Sequence, residues 1–166
     1  MLSDLTIRVL AQPFFAGLTI GMVRELCECA SAESFPAGAT IFAEGGAADA
    51  FWLLERGTVA LGLHVPGRGD QVIETIGPGT VLGWSWLHPP YRWHFGANTI
   101  EPVTAVRFDA AAVRLRCETD AEFGYAMLSR LTPIITERLQ ATRLRLLDLY
   151  ATPSQVRRAD IGPVNV

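Results

Sequence analysis

Side chains that could form a binding site are concentrated between Gly83 and Ala97. Large rings can stack on a flat or apolar ligand, while arginine and histidine can anchor its polar groups. A few polar groups among many apolar ones are typical of a small-molecule pocket. The segment is therefore consistent with a pocket in which Arg92 and His94 are the polar anchors. The other rings and polar groups of the segment are Trp84, Ser85, Trp86, His88, Tyr91, Trp93 and Phe95.

The composition argues against an enzyme. All fourteen basic residues are arginine, which excludes a lysine-dependent phosphate loop, a Schiff-base lysine and a lysine general base. Three cysteines cannot hold a four-cysteine iron–sulfur cluster, and the spacing of Cys27 and Cys29 is not that of a zinc site. The sequence has neither a Ser, His and Asp order nor a setting for a cysteine nucleophile. We therefore expect a non-enzymatic protein without a metal site, in which Cys27, Cys29 and Cys117 are reduced thiols.

The net charge and the hydropathy pattern argue against nucleic acids and membranes as partners. The net charge of −3 argues against a broad nucleic-acid-binding surface. The apolar stretch at the start of the chain is interrupted by Asp4, Arg8 and Pro13, too early for a membrane span. We expect a cytoplasmic protein that does not bind membranes.

The chain is predicted to form one domain over residues 1–150, followed by a flexible tail at 151–166. Residues 1–34 are expected to form short helices, because apolar residues recur at helical spacing with a break at Pro13. Between 35 and 108, short apolar runs alternate with turn signals, which is typical of an antiparallel sandwich or barrel. The runs of strand length are Thr40–Phe42, Ala50–Leu54, Thr58–Val65, Gln71–Ile76 and Thr104–Phe108.

Helical periodicity returns over residues 109–150, where we expect helices at Ala110–Leu115, Asp120–Leu131 and Pro133–Tyr150. Asp120 can cap the second helix, and a proline is tolerated in the first turn of the third. Apolar positions of the third helix recur at steps of three and four residues, as in a coiled-coil seam. This stripe favours a homodimer through the C-terminal helix, with packing on the chain's own β region as the alternative. The seam residues are Ile135, Leu139, Thr142, Leu146 and Leu149.

Three spaced motifs in the β region carry a family resemblance. They read PAGATIFAEG at 36–45, ADAFWLLERGTV at 48–59 and IGPGTVLG at 76–83. Together they resemble the cyclic-nucleotide-binding domain of the catabolite-activator type, and the resemblance spans roughly residues 14–150. It implies an α+β, mainly β fold, in which N-terminal helices and a long C-terminal helix flank an antiparallel β-roll. It also implies a regulatory function.

The resemblance places a phosphate-binding cassette after Gly83. There the family has a carboxylate for the ribose and, about ten residues later, an arginine for the cyclic phosphate. In this sequence Gly83 is kept, but Trp84 stands at the carboxylate position and Trp93 at the arginine position, with Arg92 one residue early. Loss of the carboxylate alone should cost roughly 1.5–3 kcal/mol, or one to two decades of affinity. We therefore expect that cyclic AMP and cyclic GMP bind weakly or not at all.

The altered cassette has several interpretations. Its rings could fill the vacated pocket as part of the core, or they could form a remodelled pocket in which Arg92 and His94 orient a flat or apolar ligand. An exposed aromatic face could instead dock a partner protein. Because relatives of this family sense haem, iron ligation by His88 or His94 is a further alternative, although a lone loop histidine is more often structural.

The last predicted helix adds one candidate residue to the pocket. Residues 138–142, RLQAT, resemble the part of the family's C-terminal helix whose threonine meets the adenine across the dimer, which makes Thr142 a candidate. Sixteen residues follow Tyr150, so we expect no DNA binding by this chain alone. Two functional hypotheses follow: a ligand-sensing regulatory module, and a ligand-free homodimer whose β-roll is a scaffold for a partner protein.

Overall fold

The structure, a computed structural model, describes residues 2–150, with side chains described as far as Leu144. The chain divides into two compact units, Met1–Leu128 and Ser129–Val166. The predicted flexible tail, 151–166, lies outside the described residues. No described helix combines the length and the apolar character that crossing a bilayer requires.

The part of the chain that the structure describes has four α-helices, and a side chain caps the start of each. Ser3, Thr19 and Asp109 each accept a hydrogen bond from a backbone N–H in the first turn of the helix that follows, which satisfies a donor that has no partner within the helix. Asp120 likewise accepts from the backbone N–H of Phe123, at 3.1 Å, as predicted. The helices are α1 (Asp4–Leu10), α2 (Ile20–Glu28), α3 (Ala110–Thr119) and α4 (Ala121–Tyr150), with a 3₁₀ helix at Pro13–Phe15.

Within residues 2–150, eight strands form two antiparallel sheets of four, so the predicted mainly β fold with flanking helices is confirmed. The order is β1-β8-β3-β6 in one sheet and β2-β7-β4-β5 in the other. All five predicted strand runs are strands, and their bounds agree to within two residues. The strands are β1 (Ala30–Phe35), β2 (Thr40–Phe42), β3 (Ala50–Arg56), β4 (Val59–Val65), β5 (Gly69–Ile76), β6 (Val81–Leu82), β7 (Gly96–Thr99) and β8 (Val103–Asp109).

The prediction that residues 1–34 are helical is wrong from Ala30 onward. Residues Ala30–Phe35 form β1, which pairs with β8 from Ala30 opposite Phe108 to Phe35 opposite Val103. Small and polar residues in β1 give no strong periodicity of their own. Pairing with the buried strand β8 therefore decides their conformation.

The prediction that Pro133 begins a separate helix is also wrong. Helix α4 runs from Ala121 to Tyr150 with Pro133 inside it. A proline removes one intrahelical hydrogen bond because it lacks an N–H. This thirty-residue helix nevertheless continues through the proline.

A ladder of aromatic rings forms much of the core. Phe51 of β3 lies between Trp86 and Phe108, with ring centroids 4.7 and 4.8 Å away and planes within 15°. Phe15 packs on Phe108 at 5.7 Å. All four rings are buried, so the ladder ties the segment around Trp86 to the N-terminal helices.

Two glycines with left-handed backbones test how closely the turn after β3 approaches Pro102. Gly57 has φ +86°, and an added Cβ would lie 2.3 Å from the carbonyl oxygen of Pro102. Gly67 has φ +77° and open space around the same position. We expect Gly67→Ala to lose only the strain of a left-handed alanine, about 1–2 kcal/mol, and Gly57→Ala to lose clearly more. Urea unfolding measures both losses, and equal losses would contradict the close approach at Gly57.

Candidate functional site

The cassette, residues 83–97, begins at a glycine that a large ring covers. Gly83 has φ +88°, and a Cβ added there would lie 2.8 Å from two carbons of the Trp93 ring. Trp93 is only 4% exposed. Its ring stacks on Phe42, with the centroids 3.9 Å apart and the planes at 18°. Trp93 therefore fills the space between β2 and Gly83.

A third ring and one carboxylate complete this packing. Trp52 lies 5.6 Å from Phe42 and 6.1 Å from Trp93, measured between ring centroids. The indole N–H of Trp52 donates a hydrogen bond of 2.7 Å to Glu33 on β1. We call Phe42, Trp52 and Trp93 the Trp93 cluster.

The backbone of Trp93 is fixed as firmly as its ring. Its N–H donates to the carbonyl of Gly46 at 2.9 Å, and its carbonyl accepts from the N–H of Gly45 at 2.8 Å. These bonds pair Trp93 with the loop between β2 and β3. Both the ring and the backbone hold Trp93 inside the cluster.

A second anchor of the cassette comes from α3. Arg114 donates a 2.8 Å hydrogen bond to the carbonyl of Trp86, which lies in the 3₁₀ helix Ser85–Leu87. The same guanidinium lies 4.2 Å above the ring centroid of Tyr91, a cation–π contact. Arg114 thus joins two parts of the cassette to one helix, a role that the sequence pattern does not indicate.

The polar candidates of the cassette lie on its surface. Arg92 is exposed, and its guanidinium donates a 2.8 Å hydrogen bond to the carbonyl of Gly45. His94 is exposed as well, with Nδ1 3.2 Å from the hydroxyl of Ser85. The ring of His94 stacks on that of Trp84 at 6.4 Å. Arg92 therefore braces a loop, and a contact between Arg92 or His94 and a ligand stays a prediction.

The remaining rings and His88 differ in burial. Trp86 is fully buried, Trp84 and Phe95 are half-buried, and His88 is exposed. The interpretation of the rings as core therefore agrees with Trp86 and Trp93, whereas Trp84 and Phe95 keep part of their surface in solvent.

The predicted residues of the last helix lie in the second unit. The hydroxyl of Thr142 donates to the carbonyl of Arg138, one turn earlier, at 2.9 Å. Ile135 is half-buried and Leu139 is 50% exposed. The side chains of Leu146 and Leu149 lie outside the described residues. The seam and the pocket role of Thr142 stay predictions.

The family resemblance expects a carboxylate at position 84 and an arginine at position 93, but this chain has the indole rings of Trp84 and Trp93 there. Neither indole can pair with a phosphate as an arginine does, and neither can accept a hydrogen bond from a ribose hydroxyl. The carboxylate of Glu33 accepts a hydrogen bond from the indole N–H of Trp52, in the Trp93 cluster. The interior of this site is therefore aromatic and uncharged at both positions.

Comparisons with known proteins agree on one family. The family model for the cyclic nucleotide-binding domain matches residues 32–120. A CRP-like cAMP-activated global transcriptional regulator of Mycobacterium tuberculosis is 28% identical over 138 residues, which is 83% of this chain and 60% of the regulator. The chain thus spans less than two thirds of the length of that relative.

Solved structures show the same fold. A proposed cyclic nucleotide-binding protein from Geobacter metallireducens GS-15 superposes with a TM-score of 0.73 at 29% identity, over 84% of this chain and 99% of the other. A cyclic nucleotide-binding domain from Methylobacillus flagellatus KT gives a TM-score of 0.73 at 20% identity, over 92% of this chain and 84% of the other. The second likeness, at that identity, concerns the fold alone.

The burial of Trp93 predicts a large effect of its removal. Trp93→Ala should lower the free energy of unfolding by about 3–5 kcal/mol, because it deletes a packed ring and leaves a cavity. Trp84→Ala is the matched control: the half-buried ring of Trp84 should cost less than about half as much. Urea unfolding of both variants decides, and a Trp93 loss no larger than the Trp84 loss would contradict the packing described.

Proposed function

We propose that this chain, which belongs to the cyclic nucleotide-binding domain family, is a non-enzymatic regulatory module of the cytoplasm. We propose further that it works without a cyclic nucleotide. The proposal rests on the ring of Trp93. Trp93 stands at the position where the family resemblance expects the phosphate-binding arginine, and it is stacked on Phe42 and packed against Gly83.

A nucleotide entering the cassette would meet two obstacles. Its phosphate would find an indole at position 93 instead of a guanidinium, so the charge-assisted hydrogen bonds that normally offset phosphate desolvation would be missing. The ring of Trp93 would also have to leave the cluster, which would expose a side chain that is now 4% exposed. Both obstacles oppose binding, and Arg92 is already engaged with the carbonyl of Gly45.

A scaffold without a nucleotide can still act through protein contacts. Within the second unit, α4 continues past Pro133 as one helix, and the predicted seam positions keep steps of three and four residues, as two-stranded coiled coils require. Leu139, at 50% exposure, presents apolar surface on this helix. We infer that two copies pair through α4 and that the pair presents the β-roll to a regulatory partner protein.

A second candidate function is a remodelled sensor of a flat ligand. It is favoured by the stacked rings of Trp84 and His94 with the Ser85 hydroxyl beside them. Such a ligand would stack on these rings at the surface and would leave the Trp93 cluster intact. A ligand panel separates this function from the ligand-free one.

The first experiment titrates the purified protein with cyclic AMP and with cyclic GMP. Calorimetry measures the heat of binding, and thermal unfolding measures the melting temperature with and without each nucleotide. We expect no heat of binding and no change in the melting temperature. A nucleotide at a hundred times its dissociation constant would raise the melting temperature by roughly 5–11 °C for a chain of this length. A shift of that size would overturn the proposal.

Restoring the family residues provides the matched gain-of-function test. The double variant Trp84→Glu, Trp93→Arg should bind cyclic AMP in the same titration, because it regains both charges and removes the ring. Trp84→Glu alone, which keeps Trp93, should not bind. Equal binding by the single and double variants would show that Trp93 is not the obstacle.

The helix pairing gives a separate prediction. Leu139→Glu should convert the dimer to a monomer in sedimentation velocity, because it buries a charge in an apolar seam. Gln140→Glu adds the same charge at a neighbouring exposed position outside the seam and should leave the dimer intact. A wild-type protein that sediments as a monomer, or a Leu139→Glu variant that stays dimeric, would contradict the pairing.

A further inference from the structure

Arg116, near the end of α3, contacts carboxylates from two other parts of the first unit. Its Nη2 atom lies 2.7 Å from Oε2 of Glu25 on α2 and 3.1 Å from Oδ2 of Asp120, the residue that precedes α4. The two carboxylates therefore share one guanidinium nitrogen. The same guanidinium lies 6.0 Å from the ring centroid of Phe123, in the first turn of α4. Helices α2, α3 and α4 thus meet at this side chain.

Asp120 uses its two carboxylate oxygens for different contacts. Oδ1 accepts a hydrogen bond of 3.1 Å from the backbone N–H of Phe123 and so caps α4. Oδ2 accepts a hydrogen bond of 3.1 Å from Nη2 of Arg116. The backbone N–H of Asp120 donates to the carbonyl of Arg116 at 2.9 Å. Two contacts with Arg116 therefore position the residue that caps α4.

The positive charge of Arg116 is unfavourable at the start of α4 unless carboxylates offset it, because a helix N-terminus carries a partial positive charge. Glu25 offsets it from α2, and Asp120 offsets it from the junction of α3 and α4. The Glu25 oxygen is the closer of the two. Without the charge of Glu25, the attraction between Arg116 and Asp120 would compete more strongly with the cap bond to Phe123.

We propose that α2 controls the order of the first turn of α4 through Arg116. Glu25 holds the guanidinium in a position where Asp120 can pair with it and cap α4 at the same time. The side chains of Glu25 and Arg116 are 39% and 41% exposed, so solvent screens their attraction and the coupling is modest in size. Their exposure also lets a molecule that contacts α2 reach this ion pair.

The coupling gives the N-terminal helices a route to the helix through which we propose that two copies pair. A contact that draws Glu25 away from Arg116 would loosen the start of α4 and, with it, the pairing of two copies. That consequence rests on the proposed function. The coupling itself lies within one copy of the chain, so it stands even if the protein sediments as a monomer.

The test is amide hydrogen exchange of the whole protein, measured for single residues by NMR. Glu25→Gln should accelerate exchange of the Phe123 amide about two- to fivefold, the size expected for a half-exposed ion pair. The Leu53 amide should keep its rate, because Leu53 of β3 is paired with strands on both sides. An unchanged rate at Phe123 would overturn the proposal. So would equal acceleration at Phe123 and Leu53, which would indicate a general loss of stability.

Glu28→Gln is the matched control, since it removes the same charge from α2. Among the described residues, the ion pairs of Arg116 are with Glu25 and Asp120 and not with Glu28, so this variant should leave the Phe123 rate unchanged. In an Arg116→Gln background, Glu25→Gln should add no further acceleration, because the link is already broken. Equal effects of the two glutamate variants, or an undiminished effect of Glu25→Gln without Arg116, would refute the coupling.

Discussion

The packing of the cassette depends on one contact, the stacking of Trp93 on Phe42 over the backbone of Gly83. The contact is close, with centroids 3.9 Å apart, and two backbone hydrogen bonds to Gly45 and Gly46 hold the residue in place. A ring in this position contributes to the core in the way any buried aromatic does. The same ring occupies the position at which the family resemblance expects the arginine that pairs with the cyclic phosphate. A residue at position 93 can therefore either pack in the core, as this tryptophan does, or pair with a phosphate.

Contacts with α3 and with the aromatic core hold the rest of the cassette. Arg114 holds the carbonyl of Trp86 and the ring of Tyr91, and Trp86 continues the aromatic ladder through Phe51 and Phe108. The cassette is therefore connected to both the sheets and α3 through contacts within the protein. These contacts support the scaffold function that we propose.

The sequence predicts secondary structure best where apolar runs and turn residues alternate. It predicts least where tertiary contacts decide whether a segment becomes a strand or which way a side chain points. Strand β2 was predicted with its observed bounds, whereas β1 was missed because Ala30–Phe35 becomes a strand only by pairing with β8. The resemblance identified the altered cassette, but Arg92 and Trp93 are neighbours in one loop, and only the fold shows that Trp93 turns inward while Arg92 bonds to Gly45. Arg114 was missed because nothing in the sequence separates it from the other arginines.

The most direct test of the central claim is a crystal structure of the protein grown with saturating cyclic AMP. Trp93 should still stack on Phe42 and cover Gly83, and the cassette should hold no nucleotide. A cyclic phosphate bound at the cassette, with the Trp93 ring turned out of the cluster to admit it, would contradict the claim that this residue closes the site.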